Sequence, residues 1–498
     1  MKHSRYSKII VLTLNKLTNC LSRQKGQIIM ARISGKEIKR NLIMSLAAQV
    51  VSLSISFITN LVVPKFIDEL QYAHWQTYIL YINYVVLFHF GIFDGLVLRY
   101  SQYDYDELNK PIVRSQLHSV LILNLVFAFI GAAIAFGCLS GPSRSILLFV
   151  SMAMIISNTF TYTSYTFQIT NRINKYARLV ILQKLVFGCV VCGLILFKVN
   201  RFEYYCIADL FGSLIGCLFG VFTNRDLFLG ENISLREAIS ETLENFKAGI
   251  LLLIANWTSV FVVIGAKTII QMHWDTLTFG KVSFSFSVTS LFLSFVTAIS
   301  VVLFPSIKRM DAGKLPQLYA SIRGIIIPLL FVSLLLYYPG CWILEMWLPA
   351  YAVSLKYLGI LLPIIVFSSL TSLLTNNYLK AYRYEKQMLY INLSSIVLAM
   401  ALYVLFAFCF DSLPGILISV VIATMVRSIL SEIIISKLIN IKLVKDFIIE
   451  CFLVGVFIVL TSINVPWISI FGYLFALLVF LFIKRKSIFE YIRMIKTK

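Results

Sequence analysis

The sequence has few charged residues and no long polar stretch. Asp, Glu, Lys and Arg make up 13% of its 498 residues, whereas 59% are hydrophobic. The gaps between its apolar stretches are too short to fold as separate soluble domains, which need at least about 40 residues. We therefore expect the protein to act inside or across a membrane.

The sequence also lacks the motifs of ATP hydrolysis, metal binding and redox chemistry. It contains no Walker A sequence, so we expect the energy for any transport to come from an ion gradient or from the substrate's own concentration difference. The five histidines show no metal-ligand spacing, and the CxxC pair Cys189 and Cys192 is embedded in an apolar stretch. The DxD formed by Asp104 and Asp106 lies in a gap too short for a nucleotide-binding domain. No catalytic residue, metal or cofactor is predicted.

What the sequence does contain is a series of fourteen apolar stretches. Each is close to the ~20 residues that a helix needs to cross the hydrocarbon core of a bilayer. The series predicts an all-α polytopic membrane bundle with spans at residues 41–63, 78–98, 116–138, 145–167, 178–198, 204–223, 248–271, 281–304, 321–339, 354–376, 386–410, 413–437, 446–463 and 465–483.

The basic residues are distributed unevenly between these spans. The chain has 44 Lys and Arg against 23 Asp and Glu, a formal net charge of +21. Most basic residues lie in the N-terminal arm, the C-terminal tail and every second gap, so the positive-inside rule places both termini in the cytoplasm and the chain in the cytoplasmic membrane. Because the charge is dispersed along the gaps, we expect it to face anionic membrane lipids rather than nucleic acid.

The longest central gap predicts a helix that joins two halves of the protein. Residues 224–247 contain a Ser-x-x-Glu capping box at Ser234 and Glu237. The apolar stripe that follows, at Ile239, Leu243 and Phe246, is typical of a helix that lies in the membrane interface.

The predicted organisation has six parts. They are a basic cytoplasmic arm (1–40), a first lobe of six spans (41–223), the interfacial linker (224–247), a second lobe of six spans (248–437), a C-terminal helix pair (446–483) and a basic cytoplasmic tail (484–498). Within the arm, residues 6–21 have the spacing of a basic helix on the membrane surface; alternatively, translation starts at Met30.

Two cations within the spans are the candidate substrate-binding residues. A charge at the bilayer centre costs about 3 kcal/mol even on insertion scales, so such residues are usually functional. Arg427 lies near the middle of span twelve, and Lys267 lies toward the outer end of span seven, from which it can also extend to the interface. A cavity with both cations, lined by Asn and Tyr, would suit an anionic, sugar-bearing substrate.

Three acids within the spans are candidates for ion coupling or pairing. Asp209 in span six lies at a depth similar to that of Lys267, so these two can pair across the halves. Glu432 lies on the cytoplasmic side of Arg427 in span twelve. Asp94, near the cytoplasmic end of span two, reaches either water or Arg99.

Two segments resemble the polysaccharide-export flippases of the multidrug/oligosaccharidyl-lipid/polysaccharide exporter superfamily. They are residues 278–311, TFGKVSFSFSVTSLFLSFVTAISVVLFPSIKRMD, and residues 347–385, WLPAYAVSLKYLGILLPIIVFSSLTSLLTNNYLKAYRYE. The helix plan resembles this family along the whole chain. The resemblance implies two six-helix lobes around a central cavity that spans one and seven line, with alternating access coupled to a proton or sodium gradient.

The resemblance also implies a substrate and a partner. The substrate is a lipid-linked oligosaccharide, carried on polyprenyl pyrophosphate and moved to the outer leaflet for capsule, O-antigen or related polymer synthesis, and the polysaccharide polymerase machinery is the partner. Many relatives have an acid followed by a base in the second half of span seven, where this chain has Ala266 and Lys267. The missing acid leaves Lys267 as a phosphate or headgroup contact.

Two other functions remain open at this stage. The first is a cation-coupled exporter of drugs or small molecules with the same fold, for which buried acids such as Asp209 would serve coupling and cationic substrates. The second is a membrane polysaccharide polymerase or ligase, but such enzymes need a sizeable outer loop, and the predicted outer gaps are short.

Overall fold

A computed structural model describes residues 35–309, 315–382, 384–441, 444–463 and 465–496. The surface helix at residues 6–21 and the alternative start at Met30 lie outside these residues. The labelled helices are α1 (Gly35–Phe57), α2 (Glu69–Val85), α3 (Ile92–Tyr100), α4 (Lys110–Cys138), α5 (Gly141–Ile169), α6 (Ile173–Leu196), α7 (Phe202–Thr223), α8 (Leu235–His273), α9 (Thr276–Arg309), α10 (Leu315–Ser333), α11 (Tyr337–Trp347), α12 (Ala352–Leu361), α13 (Ile364–Leu370), α14 (Asn376–Ala381), α15 (Glu385–Val404), α16 (Leu413–Ile439), α17 (Val444–Thr461) and α18 (Pro466–Lys496).

The described residues form an all-helical polytopic membrane bundle, which confirms the predicted fold class. Eleven helices are long and apolar enough to cross a membrane, or thirteen spans if each of two bent helix pairs is one span. Helix α17 occupies the position of predicted span thirteen, so a helix or a bent pair lies at each of the fourteen predicted positions. Long apolar segments form helices in lipid because only an internally hydrogen-bonded backbone can cross hydrocarbon.

Two of the predicted spans are bent. Span two consists of α2 and α3, which meet at 54°, and span ten of α12 and α13–α14, which meet at 46°. The first bend follows Phe90 and Gly91, whose φ angles of 50° and 75° are left-handed and stop the preceding helix. The second bend lies at Pro363, which cannot donate a helical hydrogen bond.

The linker is not a separate helix, which corrects the predicted boundary between linker and span seven. The capping box at Ser234 and Glu237 is confirmed, but the helix it starts continues through Lys247 to His273 without a break. No proline interrupts this segment, so the amphipathic turn and the apolar span form one 39-residue helix, α8. The tail is likewise continuous with α18, which runs to Lys496.

The helices pack in two groups that contact each other at both ends of the bundle. Helices α1–α7 form one group and α8–α16 the other, and α18 packs on α10 of the second group. The groups are joined by extensive contacts of α3 with α8 and of α2 with α9. At one end, α3 crosses α8 closely: a Cβ on Gly95 would lie 2.1 Å from the backbone oxygen of Asn245, and one on Gly249 would lie 2.0 Å from that of Gly91. Only glycine permits this approach.

A charged cluster at the same end fastens the loop before α4 to the short helix Arg225–Phe228. Lys110 donates to Asp226 at 2.5 Å, and the Tyr105 hydroxyl donates to the same carboxylate. Partial burial alone would raise the pKa of Asp226, but these two hydrogen bonds outweigh it and lower the pKa below its ordinary value. The cluster lies outside the membrane-spanning segments.

Candidate functional site

A cavity of about 670 Å³ lies between the two helix groups. Helix α8 provides the largest share of its wall, whereas the segment that follows α1 contributes only Asn60 among the described residues. The polar lining consists of seven Ser and Thr side chains and five amides, namely Asn60, Gln76, Asn83, Asn376 and Asn392. The expected asparagines are present; no tyrosine and no carboxylate is among the described lining residues.

Arg427 lies in the wall of this cavity on α16. Its side chain is buried, with 8% of the residue exposed, and its Nη1 donates to the backbone oxygen of Ser259 on α8 at 2.7 Å. Its Nε has no hydrogen-bond partner, and among the described residues no carboxylate lies within salt-bridge distance. A guanidinium has five N–H donors, so Arg427 in the cavity wall can donate to a bound anion in addition to Ser259.

Lys267 lies in the same cavity on α8. Its Nζ is 3.4 Å from Oε1 of Gln76 on α2 and 5.8 Å from the centre of the Phe279 ring. Within the part of the chain that the structure describes, it forms no ion pair with an acid. The structure thus brings together the two cations that the sequence singles out, and neither is neutralised.

Asp209 lies away from both cations. It accepts a hydrogen bond from the Tyr78 hydroxyl at 3.0 Å, between α7 and α2. Asp209 and Lys267, both described, do not form an ion pair, and Asp209 does not line the cavity. The structure therefore does not show the pairing across the halves that similar depth made possible.

Glu432 is paired with a residue that the sequence does not single out. Its carboxylate is 1% exposed and accepts two hydrogen bonds from Arg323 on α10, at 2.6 and 3.0 Å, and one from the Tyr319 hydroxyl at 2.7 Å. Glu432 is thus satisfied on the side away from Arg427. Because Arg323 is close to the start of span nine, hydropathy does not distinguish it from the basic residues of the preceding gap.

The same arginine connects the C-terminal helix pair to the rest of the bundle. Arg323 Nη2 donates to Glu450 on α17 at 3.1 Å, and Nη1 lies 3.4 Å from Asp446. Lys484 on α18 also pairs with Asp446. This buried network holds α10, α16, α17 and α18 together, but pairing between distant helices leaves no signal in one sequence.

Asp94 lies just after the bend in span two. It is buried on α3, with its Oδ2 3.8 Å from Nδ1 of His89. Only 3% of Asp94 is exposed, and it does not pair with Arg99. Both predicted contacts of Asp94, with water and with Arg99, are therefore corrected. Arg99 instead pairs with Glu241 at 2.9 Å and Glu244 at 2.7 Å, on the first turns of α8.

Charged contacts join helices of the two groups near the start of α2. At the start of α2, Glu69 pairs with Lys281 of α9 at 3.1 Å. Nearby, the Lys65 ammonium lies 3.7 Å over the ring of Trp347. Both contacts must break if this end is to open.

The described residues contain no group of three or more His, Cys, Asp and Glu side chains that could hold a metal ion. The polar lining of the candidate site consists of two cations, amides and hydroxyls. Such a lining can bind phosphate oxygens through charge and sugar hydroxyls through hydrogen bonds.

The fold has solved relatives among membrane transporters. The chain is similar to the lipid II flippase MurJ in its inward closed conformation, with a TM-score of 0.63, 13% identity, and coverage of 90% of this chain and 99% of that chain. It is also similar to a multidrug resistance MATE family transporter of the MOP superfamily in its inward-facing conformation, with a TM-score of 0.57, 12% identity, and coverage of 79% and 94%. No protein-family model matches the sequence, and no curated protein matches it. At these identities, the likeness establishes the fold these transporters share.

Proposed function

We propose that this protein is a flippase that moves polyprenyl-pyrophosphate-linked oligosaccharides across the cytoplasmic membrane for surface polysaccharide synthesis. The observation that carries this proposal is the charge of the central cavity. Its described lining contains two cations, Lys267 and Arg427, and no carboxylate. The charge of this lining therefore favours an anion.

The two cations would bind the pyrophosphate. Arg427 lies in the cavity wall, and a guanidinium suits phosphate oxygens because it offers several donors in a fixed plane. Lys267 would add a second positive charge from α8, while the amides would bind sugar hydroxyls. A volume of about 670 Å³ falls within the range of specific ligand sites. The polyprenyl chain would remain in the lipid.

Transport would proceed by alternating access. The Glu69–Lys281 pair joins the two helix groups at the end of the bundle that charge distribution assigns to the outer face. Release of the sugar would require this pair to open while the α3–α8 contact at the other end stays closed. The fold of the two inward transporters supports this cycle.

A proton or sodium gradient would drive the cycle, and Asp209 is the first acid to test for coupling. Glu432 is held in two hydrogen bonds from Arg323, and Asp94 faces His89. The only hydrogen bond to the Asp209 side chain among the described residues comes from Tyr78. The carboxylates of Asp209 and of Asp94, whose Oδ2 has no hydrogen-bond partner among the described residues, are thus both less committed than that of Glu432.

Export of cationic drugs is the second candidate, because the fold is shared with a multidrug resistance transporter. The described lining of the cavity counts against it, since a cationic substrate would meet two positive charges and no acid. Loss of transport in Asp209→Asn, with full activity in Arg427→Ala, would favour this candidate.

The experiment that tests the proposal is deletion of the gene followed by mass analysis of lipid-linked sugars. We expect complete repeat units to accumulate on polyprenyl pyrophosphate and surface polymer to be lost. Wild type and the exposed-residue control Arg201→Ala should restore polymer, whereas Arg427→Ala and Lys267→Ala, present at equal levels in the membrane, should not. Arg427→Lys should restore it only partly, because charge remains but the planar donor set is lost. Normal polymer without lipid accumulation would rule the flippase out.

A further inference from the structure

We propose a second anion site, at the start of α6, that binds the phosphate group of a membrane lipid. A separate pocket of about 350 Å³ lies there, between the start of α1 and the turn from α5 to α6. Its described lining includes four cations, Arg40, Arg172, Lys175 and Arg178, and no carboxylate. This inference does not depend on the substrate of the central cavity.

The turn before α6 fixes the position of Arg172, which directly precedes this helix. Asn171 has a left-handed φ of 54°, which ends the preceding helix and starts the turn. Arg172 is then held by two contacts: its Nη1 donates to Asn224 at 2.7 Å, and its guanidinium lies 4.0 Å over the Tyr105 ring. The pocket therefore has a preformed wall.

The cations lie where a helix would favour the opposite charge. The first turns of a helix carry a partial positive charge from their free backbone N–H groups, so acids are favoured there. The first turn of α6 has no acid. Arg172 directly precedes this turn, and Lys175 lies within it. Among the described residues, neither these two nor Arg178 has a carboxylate within salt-bridge distance. An anion bound in the pocket would relieve this repulsion and use the free N–H groups.

The surface beside the pocket indicates that the anion belongs to a lipid. The middle turns of α1 carry an apolar stripe, Ile43, Leu46 and Val50, with 54%, 39% and 61% of each residue exposed. In a membrane this stripe contacts acyl or prenyl chains. A lipid can thus place its chains on α1 and its phosphate in the pocket, as basic pockets between membrane helices do with anionic headgroups.

The test is lipid binding to the purified full-length protein in detergent. The probes are a phosphatidylglycerol, polyprenyl pyrophosphate, inorganic pyrophosphate and, as the neutral control, a phosphatidylcholine, with binding followed by native mass spectrometry. The variant is Lys175→Gln with Arg178→Gln. The control is Arg236→Gln with Lys247→Gln, which removes the same charge from exposed positions on α8, outside the pocket.

We expect the Lys175/Arg178 variant to bind phosphatidylglycerol at least tenfold more weakly than wild type and the control. Loss of phosphatidylglycerol binding in the variant, without an equal loss of pyrophosphate binding, would identify the source as a lipid, because the central cavity can bind pyrophosphate in both proteins. An equal loss of free pyrophosphate binding in the variant would retain the site but overturn the lipid assignment. Equal affinity in the variant and the control, or equal binding of phosphatidylcholine by wild type, would overturn the proposal. Unchanged size-exclusion profiles exclude misfolding as a cause.

Discussion

Replacing Arg323 by methionine should destabilise the protein strongly. The side chain donates to Glu432 at 2.6 and 3.0 Å and to Glu450 at 3.1 Å, and both carboxylates are buried. Removing one partner of a buried ion pair costs about 3–5 kcal/mol because a charge is left without compensation. Arg323→Met leaves two such carboxylates, so we expect a loss near the upper value, about 5 kcal/mol.

A set of variants separates this explanation from simple loss of packing. The triple variant Arg323→Met, Glu432→Met and Glu450→Met fills the same space with apolar side chains. We expect it to recover to within about 2 kcal/mol of wild type, because apolar replacement of a whole buried network is often neutral. Arg201→Met, which removes a surface pair whose arginine side chain is 66% exposed, should cost at most about 1 kcal/mol.

The assay is unfolding of the purified protein by sodium dodecyl sulfate in mixed micelles, which gives a free energy of unfolding. The reasoning is refuted if Arg323→Met lies within 1 kcal/mol of wild type. It is also refuted if the triple variant is as unstable as the single one, because the cost would then come from lost shape rather than from uncompensated charge.

Three further results follow from the geometry. Gly249→Ala should lower the yield of folded protein in fluorescence-detected size exclusion, because its Cβ would lie 2.0 Å from a backbone oxygen, whereas Gly137→Ala, with no atom within 4 Å, should not; equal yields would contradict the close packing of α3 on α8. Cysteines at Glu69 and Lys281, oxidised to a disulfide, should stop transport, and a reductant should restore it; transport by the cross-linked protein would show that this end need not open. Because the pKa of Asp226 is lowered, its carboxylate stabilises the fold above the ordinary value of 3.8, and this stability is lost as pH falls through the lowered pKa. Asp226→Asn should therefore show a smaller drop in thermal stability between pH 7 and pH 3 than wild type, and an equal drop would contradict this role.

The bundle could be predicted from the sequence because each span carries its own signal. Length and apolarity locate the helices, Ser234 with Glu237 locates the start of α8, and Pro363 lies at one of the two bends. The placement of Arg427 and Lys267 in one cavity also follows from a local cue, since buried charge within a span is rarely on the lipid side.

The parts that the sequence did not predict depend on contacts between distant segments. Arg323 and Glu450 become partners only when α10 packs near α17, and no periodicity encodes that contact. The continuity of α8 was missed because the polar linker and the apolar span differ in composition, although nothing between them breaks a helix. The pairing of Arg99 with Glu241 likewise requires α3 to cross α8.

Because α8 is one uninterrupted helix, it can tilt as a rigid body. Its 39 residues extend about 58 Å, with Gly249 pressed against α3 at one point and Lys267 roughly 27 Å further along. A rigid tilt of about 10° about the contact between Gly249 and α3 would move the Lys267 backbone by about 5 Å, which exceeds the length of a hydrogen bond. A small displacement of the polar turns at one membrane surface can thus make or release a contact of Lys267 near the other surface, without a change in the backbone conformation of the residues in between.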